Sequence, residues 1–240
     1  MSQSGSFSFD AIGVVHSCFK QKFGIPRQPG LVDVPGVIEL YPDYARQEAV
    51  RGLEDFSHIW VLFLFHQAQR EGWKATVRPP RLGGNERVGV FASRSMFRPN
   101  PIGLSVVKLA SIECVPGSVR LHIRGGDLLD GTPVLDIKPY LPYADALPDA
   151  RGGYAPASPE AACEVLFTNR ALEVIESYRE RLPELRHTIT ALLQYDPRPA
   201  YQAGGVEQKA EFAMRLYDFD LKWRMEEEKA LVYDLVPVEG

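Results

Sequence analysis

The feature that most constrains this chain is a series of short β-forming segments with almost no helix between them. Residues 9–141 contain "AIGVVHSCF" (11–19), "GVIEL" (36–40), "HIWVLFLF" (58–65), "VGVFAS" (88–93), "LSVVKLASIE" (104–113), "VRLHIRG" (119–125) and "PVLDIKPY" (133–140). Each is rich in β-branched or aromatic residues, and clusters of Gly, Pro and Asp separate them. One short helix fits "DYARQEAVRGLE" (43–54). Many short strands with few helices between them predict a barrel or sandwich and not alternating β and α units. The run Ile59–Phe65 does not alternate, which predicts a strand buried on both faces.

The 240 residues suit one large domain or two smaller ones. Residues 142–160, rich in proline and carrying Gly152-Gly153, read as a connection. The expected division is a β-barrel over 1–145, a linker over 146–160 and a smaller α+β unit over 161–240. That second unit opens with a strand, "CEVLF" (163–167). Asn169 is placed to cap a helix with Leu172, Ile175 and Tyr178 on one side. Pro183 suits the first turn of another, with Leu185, Ile189, Leu192 and Leu193 as its stripe. "DLKWRM" (220–225), the charged turn "EEEK" and "ALVYDLV" (230–236) read as a hairpin. The fold class is therefore mainly β with an α+β extension.

Net charge is −4, so a polyanionic partner must meet a local patch. The three cysteines, Cys18, Cys114 and Cys163, lie far apart and form no CxxC pair, which argues against a disulfide framework or structural zinc and for a reduced, cytoplasmic setting. The start "MSQSGSFSFD" lacks the basic and apolar regions of a secretory leader. The seven-residue apolar run at 59–65 is too short for a membrane-spanning helix.

A basic patch does exist. Between residues 70 and 98 lie Arg70, Lys74, Arg78, Arg81, Arg87, Arg94 and Arg98 against Glu71 and Glu86, a local excess of +5. Arginine's planar fork binds phosphate or carboxylate through two bonds. Pro79, Pro80, Pro99 and Pro101 stiffen the backbone around these charges, and preorganised arginine points to an anionic ligand. There is no Walker sequence and no G-x-G-x-x-G after a strand. "GGDLLDGTPVLDIKPY" (125–140) lacks calcium-loop spacing. Its Asp130-Gly131-Thr132-Pro133 is a turn, either a plain hairpin or one whose amides and Asp oxygens hold a small polar molecule. "PRQPGLV" (26–32) is a third rigid loop. The five histidines show no metal-ligand spacing.

Four blocks carry a resemblance: "PRQPGL", "VRGLEDFSHIWVLFLFHQ", "RPPRLGGNERVGVFASRSMFRPNPIGLS" and "DGTPVLDIKPYLPYAD". Together they resemble the TsaA-like, or TrmO-type, tRNA methyltransferase family, and "YDPRPAY" (195–201) and "YDFDLKWRM" (217–225) resemble its bacterial C-terminal extension. The resemblance implies a small antiparallel β-barrel that uses S-adenosyl-L-methionine, without a metal, to N6-methylate threonylcarbamoyl-adenosine at tRNA position 37, in the anticodon loop beside the anticodon. It implies a homodimer with the cofactor near the subunit interface. The matching cofactor positions are Gln28, Pro29, Gly30, His66, Gln67, Arg94, Leu104, Asp130, Gly131, Thr132 and Pro133. For the tRNA, Arg78, Arg81, Arg87, Arg98 and Arg198 would meet phosphates, and Trp73, Phe97 and Tyr201 are candidates for stacking. Asn100, Asp136 and Tyr140 are candidates for a catalytic role, with no base assigned. The alternative is a non-catalytic β-barrel that binds a nucleotide or RNA.

Overall fold

Pleat geometry turns side chains alternately to the two faces of a strand, and this alternation closes the first unit. The computed structural model of the chain describes residues 5–67, 72–161, 163–198, 211–226 and 229–238. In chain order come β1 (Gly13–Ser17), β2 (Pro35–Leu40), α1 (Gln47–Val50), β3 (His58–Leu64), the two-residue strands β4 (Thr76–Val77) and β5 (Val88–Gly89), β6 (Ile102–Val115), β7 (Ser118–Arg124), β8 (Pro133–Pro139) and α2 (Pro142–Asp145). Six of these strands form a closed barrel in the order β1-β2-β7-β6-β3-β8, antiparallel throughout. Val119, Leu121 and Ile123 of β7 point into its core with Ile59, Val61 and Phe63 of β3, Val15 and Ile38. Fully burying each such side chain contributes about 1.5–3 kcal/mol.

Two expectations change here. Residues 88–93 are not a barrel strand. They make the short β5, paired with β4, and then a 3-10 turn at Val90–Ala92. Val90 is the run's buried residue, which is too little apolar surface to hold a strand in a sheet. The β3 run is also not buried on both faces. Ile59, Val61 and Phe63 are buried, whereas Trp60, Leu62 and Leu64 alternate with them on the outside and remain half-exposed. The expected helix at 43–54 shrinks to α1 followed by a 3-10 turn at Leu53–Asp55, with Gly52 between them at φ +82°.

The second unit comprises β9 (Glu164–Phe167), α3 (Asn169–Ser177), α4 (Leu185–Leu193), β10 (Glu211–Leu216), β11 (Phe219–Glu226) and β12 (Lys229–Pro237). Its sheet order is β10-β11-β12-β9, with only β9 parallel to its neighbour. That parallel pair needs a crossover, and the two helices supply it. The cap of α3 is Thr168, whose hydroxyl accepts from Ala171 N, and not Asn169. Phe219, Leu221, Trp223 and Met225 alternate inward beneath Leu185, Ile189, Leu192 and Leu193.

This second core reaches into the first unit. Cys18, Phe19, Val32 and Val34, from the loop between β1 and β2, are buried in it. Phe19 bridges Leu216, and Tyr217 N–H donates to Cys18 O at 2.8 Å. Arg124, at the end of β7, donates to both carboxylate oxygens of Glu184 at 3.0 and 2.8 Å and to Asp33 Oδ1 at 2.8 Å.

Gly103 shows how tightly the barrel is filled. A Cβ at this position would lie 2.2 Å from the Phe63 ring, its cross-strand partner. Gly103→Ala should therefore force the ring against its neighbours and destabilise the protein by about 1–3 kcal/mol. Urea unfolding should show a lower midpoint with an unchanged slope.

Candidate functional site

Barrel connectivity alone sorts the loops. β1, β3 and β7 run toward one pole, and β2, β6 and β8 return from it. Loops 18–34, 65–101 and 125–132 therefore all emerge at the same pole. The opposite pole carries segment 41–57, the tight turn at 116–117 and the exit from β8. Every residue matched to the cofactor except Leu104 and Pro133 lies in these three loops. Pro133 opens β8, and Leu104 is the third residue of β6, close to the same end.

Two bonds tie the loops to one another and a third ties the last loop to β6. Gly30 N–H donates to Gly125 O at 2.8 Å, where the first loop crosses the third. Both glycines hold φ +76°, the left-handed conformation that other residues adopt at a cost. The Arg94 guanidinium of the second loop donates to Gln28 Oε1 of the first at 2.7 Å. Ser105 Oγ, on the inner face of β6, donates to Asp127 Oδ1 of the third loop at 2.7 Å. Arg94 also acts electrostatically on Asp127. Burial pushes the Asp127 carboxyl above its ordinary range, and Ser105, the residue's own amide and Arg94 partly oppose that shift.

The Asp130 turn is organised differently from the reading of open amides. The amides of Asp130, Gly131 and Thr132 donate to Phe19 O, Val15 O and Leu129 O. The Asp130 carboxylate accepts from Ser17 N at 2.9 Å and Lys20 Nζ at 2.6 Å. This turn fastens the end of β1. Gly131 remains exposed.

Of the catalytic candidates, Asn100 is exposed in the second loop at the site pole. Asp136 lies midway along β8, opposite Leu62, and pairs with Lys138 at 2.8 Å. Tyr140 is at the far pole, its N–H donating to His58 O at 3.0 Å. It stands seven positions beyond Pro133, the first residue of β8, roughly 23 Å at the strand rise. The burial-inert Cys18 thiol, its pKa pushed up to about 12 by desolvation, offers no nucleophile. Among the described residues no group of three His, Cys, Asp or Glu could hold a metal ion.

The arginines divide into two kinds. Arg78, Arg81 and Arg87 are exposed, with Arg87 donating to Thr76 Oγ1. Arg98 donates to Val90 O and Ser93 O and so shapes the turn that presents Arg94. Arg198 makes paired bonds to Asp196, both at 2.7 Å, while its own carbonyl accepts from Arg27. Arg70 and Tyr201 lie outside the described residues. Phe97 is half-buried beneath Lys74, whose Nζ sits 3.8 Å from the ring centroid. Trp73 is 58% exposed, and Phe91, not singled out in the sequence, is 74% exposed with Arg98 over its ring. Phe91 was hidden within a run that read as a strand. Asp127 was not singled out because the neighbouring Asp130 turn carried the stronger local signal, a hairpin turn or a holder of a small polar molecule.

Comparison with known proteins follows the same division. The tRNA-methyltransferase O N-terminal domain matches residues 14–146, and the TrmO C-terminal domain matches residues 160–238. The tRNA (adenine(37)-N6)-methyltransferase of Escherichia coli (strain K12) is 50% identical over 233 residues, covering 97% of this chain and 99% of that protein. A "Probable S-adenosyl-L-methionine-binding protein" of Pyrococcus abyssi is 41% identical over 144 residues, 60% of this chain and 73% of that one. The crystal structure of TrmO from Pseudomonas aeruginosa superimposes with a TM-score of 0.80 at 40% identity, covering 97% of this chain and 99% of that one. With both domain models and full-length similarity in agreement with the barrel and its extension, the chain belongs to the tRNA-methyltransferase O family.

Proposed function

We propose that this protein is an S-adenosyl-L-methionine-dependent tRNA methyltransferase acting on N6 of adenine 37, and that its acceptor carries the threonylcarbamoyl group. The observation that carries this reading is the convergence of three polar loops at one barrel pole, tied by Arg94–Gln28 and by Gly30–Gly125, in a chain that is 50% identical over nearly its full length to a tRNA (adenine(37)-N6)-methyltransferase. The alternative of a non-catalytic binding module is not favoured, because a relative matched over nearly the whole chain carries an enzyme name.

The residues at this pole fit the cofactor. Arg94 suits its carboxylate. The backbone at Gly30 is open, with nothing within 4 Å of where a Cβ would stand. Ile102 and Leu104 offer exposed apolar surface for a purine face. The cofactor supplies an electrophilic sulfonium methyl group. The chain's own task is to hold N6 in line with it and to exclude competing water. Arg78, Arg81 and Arg87 meet tRNA phosphates, and Phe91 and Trp73 stack on loop bases. Arg98 and Arg198 act through the turns they brace.

We assign residues 1–145 to the catalytic barrel and 161–240 to a unit that holds loop 18–34 in place. The protein is a homodimer of the cytoplasm. Support for the dimer is the outer face of β3 and β6, where Leu62 pairs with Leu104 and Leu64 with Ile102. Leu104 is 50% and Ile102 38% exposed there, an apolar surface of the kind that partners cover. Leu104 thus belongs to both this face and the cofactor site. Among the described residues no helix is long and apolar enough to cross a membrane.

The dimer assignment predicts that Leu62→Lys yields a folded monomer by light scattering; an unchanged dimer would remove this face from consideration. For the cofactor, Arg94→Ala should weaken S-adenosylmethionine binding in calorimetry by roughly 1.5–3 kcal/mol, the range of a hydrogen bond to a charged group. Arg78→Ala and Phe91→Ala should leave that affinity unchanged and weaken tRNA binding, Arg78→Ala also flattening its salt dependence. For the acceptor, tRNA from cells that make threonylcarbamoyl-adenosine should take up labelled methyl at position 37, and the same tRNA transcribed in vitro should not. A site that pairs a carboxylate rejects a substrate lacking one. Equal labelling of both would limit the arginines to backbone contacts.

A further inference from the structure

Asp127 is an ionisable side chain at the site pole to which the reading above gives no task. It lies two residues past Gly125, where the first and third loops cross. From below, Ser105 Oγ donates to its Oδ1 at 2.7 Å, and Ser105 is only 2% exposed. The charged group acting on the carboxylate is Arg94, from the second loop, itself held at 2.7 Å by Gln28 of the first. The contrast with Asp130 is informative. Asp130 engages both oxygens, with Ser17 N and Lys20 Nζ, in fastening β1. Asp127 is held by the neutral Ser105 hydroxyl and its own backbone amide, in a setting whose desolvation raises its affinity for a proton.

We propose that Asp127 is the general base of the methyl transfer, receiving the proton of adenine N6, and that Ser105 is the residue that positions it. The proposal rests on the methyltransferase reading above. The N6 lone pair is delocalised into the purine, so the nitrogen becomes a competent nucleophile as its proton leaves. The N–C bond forms while the S–C bond of the sulfonium breaks, its electron pair passing to sulfur. The N6 proton passes to the Asp127 carboxylate. The products are the N6-methylated base, a neutral thioether and a protonated carboxyl group, which returns its proton to water. A carboxylate whose proton affinity is raised by burial is better matched to this task near neutral pH than an exposed one.

The test compares Asp127→Asn, Ser105→Ala and Ser105→Thr with the wild type. Asp127→Asn should lower single-turnover methyl transfer to tRNA by roughly 100-fold or more, the lower range of general-base catalysis, while calorimetry finds S-adenosylmethionine affinity within about twofold of wild type. Ser105→Ala removes a hydrogen bond that favours the charged carboxylate, so the group should take up its proton at higher pH. The acidic limb of the pH–rate profile should then move to higher pH. In the protein without ligand, the carbon-13 resonance of the Asp127 carboxyl should titrate at higher pH than in wild type. Ser105→Thr, which keeps the hydroxyl, should restore both. An Asp127→Asn variant with wild-type turnover would overturn the proposal. A parallel loss of cofactor affinity and rate would also overturn it, making Asp127 a partner of the cofactor's cationic end. A wild-type protein that binds the cofactor and methylates no tRNA would instead overturn the function on which the proposal rests.

Discussion

Everything at the site pole depends on the seam where the barrel closes. β1 meets β8 through only two register pairs, Gly13–Val134 and Val14–Pro133. Beyond them the seam continues through turn residues: Val15 N donates to Thr132 O, Gly131 N to Val15 O and Asp130 N to Phe19 O. The Asp130 carboxylate completes it at Ser17 N and Lys20 Nζ. A closed barrel has no edge strand, so this seam settles two matters at once. It removes the barrel's aggregation-prone edges, and it brings loops 18–34 and 125–132 side by side. An Asp-Gly-Thr-Pro turn at this place therefore acts first on architecture, and through architecture on the site.

Charge is divided according to the same geometry. Arg124, Arg98 and Arg198 all carry the fixed charge expected of a phosphate-binding surface, yet each is engaged within the chain. Arg124 joins the two units through Glu184 and Asp33. That guanidinium holds the Glu184 carboxyl below its ordinary range, so this contribution is present above the usual carboxylate titration and fades as pH falls through the depressed value. Both partners are partly exposed, so its magnitude is screened. The apolar contribution is broader: Cys18, Phe19, Val32 and Val34 are buried in the second core. The C-terminal unit thereby holds the loop that presents Gln28 to Arg94.

How far this was legible in the residues varies with the range of the interactions. The barrel strands could be read because each carries its own period-2 pattern and turn punctuation, both local properties. Alternating β and α units were excluded for an equally local reason, the scarcity of helices between the strands. The run 88–93 misled because its six residues are all apolar or small and bounded by turn signals, while only Val90 is buried. Thr168, not Asn169, caps α3 because the choice depends on one residue of chain entry angle, which neighbouring propensities do not distinguish.

The sequence by itself determined the fold class, the two-unit organisation of its apolar patterns, the local excess of arginine between residues 70 and 98, and the motif blocks that place the chain in its family. Only the tertiary structure decided which of those arginines face solvent, since Arg78 and Arg98 have the same chemistry and differ in what surrounds them. It alone sent Tyr140 to the far pole and brought the Asp127 carboxylate under the electrostatic influence of Arg94. The physical reason is that these relations span the barrel: 66 positions separate Gln28 from Arg94 and 22 separate Ser105 from Asp127. Strand direction, register and closure of the sheet set those distances, and no short stretch of sequence encodes them.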